Sequence, residues 1–217
     1  MTEEYITVIG IDPGTSCLGF AAIKYCLSSH AMLLDTAFTL HPRVAAIRKG
    51  IAPGTVGLRP VRLNVLHDQL VKEFCKHEPT MVASESPYLG RFPKAFAALV
   101  ECVLIERRAL YEYDPEKVLG MITPSTVKVS AGVSHTSSDK EDMRKAALTL
   151  KDVDFGNVDI TLLDEHAIDA IHVARCAILQ ARGIVIPFVK VKKPKKPRKP
   201  KDGKPKRRKS KGKKGRR

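Results

Sequence analysis

The sequence predicts an α/β domain with a mixed five-stranded sheet and helices on both of its faces. Three strand-like runs open the chain, and helical patterns then alternate with shorter strand-like runs. This alternation is typical of layered α/β proteins, because both apolar faces of the sheet must be covered. With 217 residues, of which 43% are hydrophobic, the chain is long enough for one domain with its own core.

The first half of the chain predicts three strands and one helix. Apolar runs over residues 5–11, 18–24 and 31–40 are separated by short turns and predict an antiparallel meander. Glycine, proline and basic residues predict a loop over 42–57. Apolar residues recur at helical spacing over 59–77 and predict an amphipathic helix.

The second half predicts two strands and three helices. The run TMVASES is a short buried strand, and the helix that follows spans residues 92–113. A strand over 118–122 precedes Pro124, and further helices are predicted over 138–150 and 164–182. One folded domain, residues 1–188, accounts for all of these elements.

The positive charge of the chain is concentrated in its last segment. Of 38 basic and 23 acidic residues, 18 basic and one acidic lie within 190–217, which leaves 20 basic and 22 acidic residues elsewhere. Repeated prolines and like charges predict that residues 189–217 form a disordered tail. Such a tail suits contact with phosphate backbones, although it also fits a solubilising segment, a nuclear import signal or a lipid-binding arm.

Cysteine usage and hydropathy predict a soluble protein of a reducing, intracellular compartment, with the cytoplasm as the expected location. Five scattered cysteines form no Cys-x-x-Cys pair. The start, MTEEYI, lacks the basic and apolar regions of a signal peptide. No apolar stretch reaches the ~20 residues that a membrane helix needs.

Carboxylates stand at the ends of two predicted strands. Asp12 follows the first strand and Glu85 ends MVASE, so both are expected at one edge of the sheet. In the last helix, within DEHAIDAIHVA, His166 and Asp169 are three residues apart and share a face, and Glu165 and Asp169 fit equally well. Two divalent cations held there would offset the repulsion and promote phosphodiester hydrolysis.

Each of these residues also has an ordinary structural explanation. An Asp at a strand end often caps a turn, a lone Glu is unremarkable, and a helical His more often packs or faces solvent than binds metal. It is the joint placement that favours a metal site. We expect Gly14 and Gly19, behind Asp12, to turn the chain away and leave space for a phosphate.

Four sequence blocks resemble those of RuvC-type Holliday junction resolvases, within the ribonuclease H-like nuclease superfamily. GIDPGTSCLGFA resembles the opening signature, and VASESPY is similar to the second acidic motif. PSTVKVSAGVSHTSSDKEDMRKA resembles the third block, and DEHAIDAIHVA fits the closing pattern. The blocks occur in the family's order across residues 5–180. The departures are a longer segment at 42–57 and the basic tail, and the resemblance fits a divergent resolvase of phage or viral type.

The resemblance implies a metal-dependent endonuclease that resolves four-way DNA junctions by paired symmetrical nicks. Asp12, Glu85, His166 and Asp169 would be the catalytic ligands of two Mg²⁺ ions, with Asp12 shared between them. The family's pattern selects His166 over Glu165, which remains a possible additional ligand. Because a His nitrogen is softer than a carboxylate oxygen, Mn²⁺ is expected to support activity too.

The resemblance also implies contacts with branched DNA. Lys128 and Lys140 match basic positions beside the active site, and Tyr88 matches an aromatic that enters the junction centre. Stacking on an unpaired base suits that aromatic side chain. Arg91 and Lys94 belong to the same region and are expected to contact phosphate. Without the resemblance, each lysine would pass for a solvated surface residue, and Tyr88 for one packed beneath its loop.

The helix predicted over 92–113 matches the region through which such resolvases form homodimers. A two-fold partner would bring two active sites to one junction. The alternative is that its apolar stripe packs only on its own sheet, and both are possible on different faces of the helix.

Three other functions fit parts of the sequence. DPGTSCLG resembles the phosphate-binding turn of actin-like and sugar-kinase ATPases, but those proteins need two such domains. A ribonuclease H-like enzyme acting on flaps, other branched DNA or RNA–DNA hybrids would use the same metal site. A non-enzymatic DNA-binding protein would use the tail alone, and it leaves the strand-end carboxylates unexplained.

Overall fold

A computed structural model describes residues 4–48, 50, 57–90, 92–134 and 140–184. The strands are β1 (Tyr5–Asp12), β2 (Leu18–Cys26), β3 (Met32–Leu40), β4 (Met81–Glu85), β5 (Leu119–Ile122) and β6 (Val153–Asp154). The helices are α1 (Pro42–Arg48), α2 (Leu58–His77), α3 (Pro93–Tyr113), α4 (Pro124–Ser130), α5 (Lys140–Leu148) and α6 (Glu165–Ala181). The division at residue 188 and the basic tail lie outside the described residues.

The strands form one mixed sheet in the order β5-β4-β1-β2-β3-β6. The predicted antiparallel meander is confirmed for β1, β2 and β3, while β4 and β5 lie parallel to β1 on one side. The sheet has six strands rather than five, because the two-residue β6 pairs with β3 at Met32 and Leu33. A run this short has no readable periodicity.

Helices cover both faces of the sheet, as the sequence predicts. On one face, α6 packs on β1 and β2 together with side chains of α4 and α5. On the other face, α2 and α3 enclose a second apolar cluster. Because strand side chains alternate, Val8 of β1 belongs to the first cluster, and Ile9 and Ile11 belong to the second. None of the helices among the described residues is long and apolar enough to cross a membrane.

Two short helices lie where the sequence predicts none. Helix α1 begins at Pro42, inside the segment predicted as a loop, and proline is well suited to the first turn of a helix. Helix α4 begins at Pro124, where the Thr123 side chain caps it by accepting a hydrogen bond from the Thr126 amide at 3.3 Å. Both are only seven residues long, too short for a clear apolar period.

Helix α6 approaches the sheet closely because glycines face it. A Cβ at Gly10 of β1 would collide with the backbone of Ala170 and Ala174, and a Cβ at Gly19 of β2 would collide with the His166 carbonyl. The α6 residues at this contact are mostly small, so the backbones themselves come together. The space beside Gly19 is therefore filled by α6 and is not left open for a phosphate, contrary to the expectation from the sequence.

We expect Gly10→Ala to destabilise the fold, because its methyl group has no room against the α6 backbone. The predicted loss is about 3 kcal/mol of unfolding free energy, measured by urea denaturation. Gly120→Ala is the matched control, since a Cβ in β5 would meet its nearest atom, the Val82 carbonyl oxygen, at an ordinary 3.5 Å. Equal stability of the two variants would contradict this account of the α6 contact.

Candidate active site

Asp12 and Glu85 lie side by side at the carboxyl ends of two neighbouring strands, β1 and β4. β1 and β4 are parallel, and their last paired residues are Ile11 and Ser84. Asp12 and Glu85 are the next residue of each strand, so they project from the same face. Ile11 packs in the α2 and α3 cluster, and by alternation the two carboxylates face α6.

The first two turns of α6 bring His166 and Asp169 to these carboxylates. Asp164 caps the helix by accepting a hydrogen bond from the Ala167 amide at 3.0 Å. His166 Nδ1 lies 2.7 Å from Asp12 Oδ2. This hydrogen bond raises the pKa of His166 above its ordinary value, and the attraction of Asp12 adds to the effect. When it is protonated, the imidazole offsets part of the negative charge of Asp12.

Glu85 and Asp169 are carboxylates in an unfavourable environment. Burial, together with the nearby charges of Asp12 and Asp169, raises the pKa of Glu85 to about 8. Burial likewise raises the pKa of Asp169 to about 7, again with a contribution from Asp12. Lys128, on α4, lowers both pKa values in part. The three acids therefore form one electrostatically coupled group with too little positive charge of its own.

Glu165 stands beside this group, at the first position of α6. One of its carboxylate oxygens lies 3.7 Å from His166 Nε2, so His166 interacts with an acid through each ring nitrogen. Glu165 is more exposed than Asp12, with 37% against 14% of the side chain accessible. Its position is thus at the rim of the site, while Asp12 lies at the base.

The donor set fits a divalent cation of the hard type. Partly buried carboxylates that raise one another's pKa lose that repulsion when a cation lies between them. Mg²⁺ and Mn²⁺ prefer such oxygen ligands, and an imidazole nitrogen suits Mn²⁺. In the described part of the chain, no three His, Cys, Asp or Glu side chains are already gathered as a metal site. His166 is hydrogen-bonded to Asp12.

An open groove adjoins Glu85 on the β5 side. Its volume is about 730 Å³. Its lining includes Lys128, the hydroxyl residues Ser86, Thr123 and Ser125, and Tyr88, whose side chain is 71% exposed. Tyr88 is therefore not packed beneath its loop. The groove offers one cation, several hydrogen-bonding groups and an exposed aromatic ring.

The other residues selected from the sequence are less informative. Lys94 is exposed on the first turn of α3. Arg91 and the side chain of Lys140 lie outside the described part of the structure. The expected DNA contacts of these three residues therefore stay predictions.

A buried acid behind the site escaped the sequence analysis. Glu106 of α3 is fully buried, and one of its oxygens lies 3.5 Å from Cys102 Sγ. Burial raises the pKa of Glu106 to about 7, while hydrogen bonding to Ser84, next to Glu85, opposes that shift. The sequence does indicate that Glu106 is buried, because Glu106 lies on the same helical face as the apolar residues Cys102, Val103 and Leu110.

The raised pKa of Glu85 predicts how stability depends on pH in metal-free protein. The folded state holds the proton of Glu85 up to a pH of about 8, whereas the ordinary value is 4.5. Unfolding free energy should therefore fall as pH rises from 4.5 to 8. Glu85→Gln should make this fall smaller, leaving the part due to Asp169 and Glu106, and be more stable than wild type at pH 8 by on the order of 2 kcal/mol.

Urea denaturation with a chelator present, at several pH values across that window, provides the measurement. Glu116→Gln, which removes an exposed carboxylate of the same type, serves as the control and should follow wild type. A Glu85→Gln variant with the wild-type pH dependence would show that Glu85 is not the strained group.

Comparison with solved structures identifies the fold. The chain resembles Thermus thermophilus RuvC in complex with a Holliday junction substrate, at 18% identity and a TM-score of 0.57, over 82% of this chain and 98% of that one. A second Thermus thermophilus RuvC structure gives 17% identity and a TM-score of 0.58, with the same coverage. The yeast mitochondrial Holliday junction resolvase Ydc2 gives 14% identity and a TM-score of 0.57, over 82% of this chain and 79% of that one.

Sequence comparisons add no closer relative. No family model matches the sequence, and no curated protein matches it. The likeness to solved structures, although below 20% identity, extends over 82% of the chain. The chain therefore has the ribonuclease H-like fold of the RuvC-type resolvases.

Proposed function

We propose that this protein is a metal-dependent endonuclease that cuts four-way DNA junctions. The observation that carries the proposal is the convergence of Asp12, Glu85, His166 and Asp169, from two strands and one helix, on one sheet edge. The fold supports it, because the similar structures include a RuvC bound to a Holliday junction. The adjoining groove supports it too, since it has the chemistry that contacts nucleic acid.

In this proposal the four residues hold two Mg²⁺ ions, and Asp12 contributes to both. Bound there, the ions supply an activated water and stabilisation of the leaving oxygen in phosphodiester hydrolysis. Glu85 and Asp169 would be ionised in this site, because bound cations would offset the repulsion that raises their pKa values. His166, which is hydrogen-bonded to Asp12, would be a nitrogen ligand, and Glu165 would be the additional ligand at the rim. Mn²⁺ replaces Mg²⁺ in this site.

The DNA partner is proposed to lie across the groove beside Glu85. Lys128 neutralises a phosphate close to the cleaved bond, and the exposed ring of Tyr88 stacks on a base at the junction centre. Lys94, Arg91 and Lys140 add contacts to the phosphate backbone. Residues 189–217 add affinity that does not depend on sequence. Since all five cysteines are unpaired, we also place the protein in a reducing intracellular compartment.

A homodimer is proposed to form through α3. This helix exposes large apolar side chains, among them Phe92, Leu104 and Tyr111, at 74%, 55% and 67% accessibility. An apolar groove of about 340 Å³ runs beside it, lined in part by Phe96, Val100 and Leu104. Exposed apolar surface of this kind is suited to a second copy of the chain. A two-fold arrangement would place two active sites on one junction and produce paired nicks.

Asp12→Asn should abolish cleavage while leaving junction binding largely intact, because the change removes a ligand charge without removing a DNA contact. The expected loss of rate is at least about a thousandfold. The measurement is nicking of an end-labelled immobile four-way junction with Mg²⁺ or Mn²⁺. Binding is measured separately, with Ca²⁺ in place of these ions.

Asp68→Asn is the matched control, since this exposed Asp of α2 lies outside the site. Duplex, flap and RNA–DNA hybrid substrates are tested in parallel. Paired symmetrical nicks on the junction support the resolvase and its dimer. Cutting of the hybrid or flap alone would move the protein to another nuclease class, and equal cleavage by Asp12→Asn and wild type would exclude the proposed mechanism.

A chain that ends at Phe188 should retain metal-dependent nicking but bind junctions more weakly, because the removed segment carries no candidate ligand. The loss should shrink as salt increases, since each phosphate contact by Lys or Arg releases counterions. Binding at several salt concentrations and cleavage at saturating protein provide the measurement. Complete loss of nicking at saturation would show that the tail contributes to catalysis.

A further inference from the structure

A second basic residue, Arg62, contacts the loop that follows Asp12. Arg62 of α2 donates a hydrogen bond from Nη1 to the Ser16 hydroxyl at 2.6 Å. Ser16 belongs to the loop between β1 and β2, four residues after Asp12. The proposed function uses only Asp12 of the motif DPGTSC. A second residue of this motif, Ser16, thus contacts the positively charged side chain of Arg62.

The charge of Arg62 has no anionic partner among the described residues. The side chain is half-buried, and its Nε is enclosed without a hydrogen-bond acceptor. Its neighbour on the same helix differs, because Arg59 lies 3.5 Å from both carboxylate oxygens of Glu101. The hydrogen bond to Ser16 lies at an exposed position, so an anion from solution can reach the guanidinium. A phosphate oxygen is such an anion, and guanidinium groups match its geometry.

The loop that carries Ser16 adjoins the candidate active site directly. Its two ends are joined, because Asp12 pairs with Gly19 across β1 and β2. Burial raises the pKa of the thiol of Cys17, the neighbour of Ser16, and the nearby charges of Asp164 and Glu165 add to that shift. Ser16 therefore lies beside the start of α6, where His166 meets Asp12.

The strand order places Arg62 and Lys128 on opposite sides of Asp12. In the sheet, β4 and then β5 lie on one side of β1, and β2 lies on the other side. The Lys128 groove belongs to the β4 and β5 side, while Ser16 and Arg62 belong to the β2 side. Arg62 approaches from α2, on the sheet face opposite the carboxylates, and reaches Ser16 in the loop that follows Asp12. Since neighbouring strands are about 4.8 Å apart, a nucleic acid strand that passes over the ends of β5, β4, β1 and β2 would meet Lys128, then the carboxylates, then the loop held by Arg62.

We propose that Arg62 and Ser16 form a phosphate subsite next to the scissile phosphate, on the side opposite Lys128. Arg62 binds a non-bridging oxygen of the flanking phosphate, and Ser16 orients the guanidinium. The subsite keeps the substrate strand aligned across the carboxylates, so that the scissile phosphate reaches Asp12 and Glu85. This inference rests on the proposed function for the identity of the scissile bond.

Junction binding at several salt concentrations, with Ca²⁺ in place of Mg²⁺, tests the subsite on the full-length chain. Arg62→Gln should weaken binding by about tenfold, since it removes one charge-assisted hydrogen bond. It should also reduce the slope of log affinity against log salt by about 0.7–0.9, the value for one phosphate contact. Arg59→Gln is the matched control and should keep the wild-type slope, because Glu101 already compensates that charge.

Substrates with a single neutral methylphosphonate provide a readout that a purely structural role would not change. Neutralising the phosphate on one side of the scissile position should weaken binding of wild type and of Arg59→Gln. It should have little further effect on Arg62→Gln, since the contact is already lost. Arg62→Lys, which keeps the charge, should keep the salt slope, and thermal melts check that each variant is folded.

The outcomes separate this inference from the proposed function. If wild type nicks the junction but Arg62→Gln keeps the wild-type salt slope and the wild-type response to every methylphosphonate, the subsite is wrong and the proposed function stands. If wild type cuts no substrate, the proposed function fails. The binding measurements with neutral phosphates then still decide whether Arg62 contacts the nucleic acid backbone.

Discussion

The close packing of α6 on the β1–β2 hairpin is the constraint on which the candidate site depends. The helix can lie this close only because Gly10 and Gly19 present no side chain to its backbone. At that distance, the first turn of α6 brings His166 to within hydrogen-bonding distance of Asp12, and Asp169 follows on the same face. If α6 packed farther from the sheet, an apolar core would still be buried. The functional groups on the helix would then no longer reach those on the strands.

The same packing concentrates negative charge where the protein supplies little to offset it. Burial raises the pKa of Glu85 and of Asp169, and Asp12 adds to both shifts. His166 and Lys128 compensate only in part, and the buried Glu106 lies behind the same strand ends. Buried carboxylates that repel one another lower the stability of the free protein. Such an arrangement is typical of a binding site in which the ligand offsets the repulsion. Cations would offset the charge of the carboxylates, and phosphates would offset the charge of Lys128 and Arg62.

Much of the architecture was predictable because long elements have readable periods. Strands β1 to β5 and the helices α2, α3, α5 and α6 lie within a few residues of their predicted places. The two-residue β6 and the seven-residue helices α1 and α4 were not predictable, because each is too short to show a repeating apolar pattern. The role of Gly19 was misjudged for a related reason: a sequence shows that a side chain is missing, but not what fills the space.

By itself, the sequence determined which groups are candidates for chemistry and which strands carry two of them. Asp12 and Glu85 end strands, and residue spacing places His166 and Asp169 on one helical face, because both features depend on local chain geometry. Only the tertiary structure decided that α6 meets the β1 and β4 edge, that Glu106 lies behind it, and that Arg62 reaches Ser16. These contacts join residues distant in the chain, and they depend on packing between elements whose local patterns do not specify their partners.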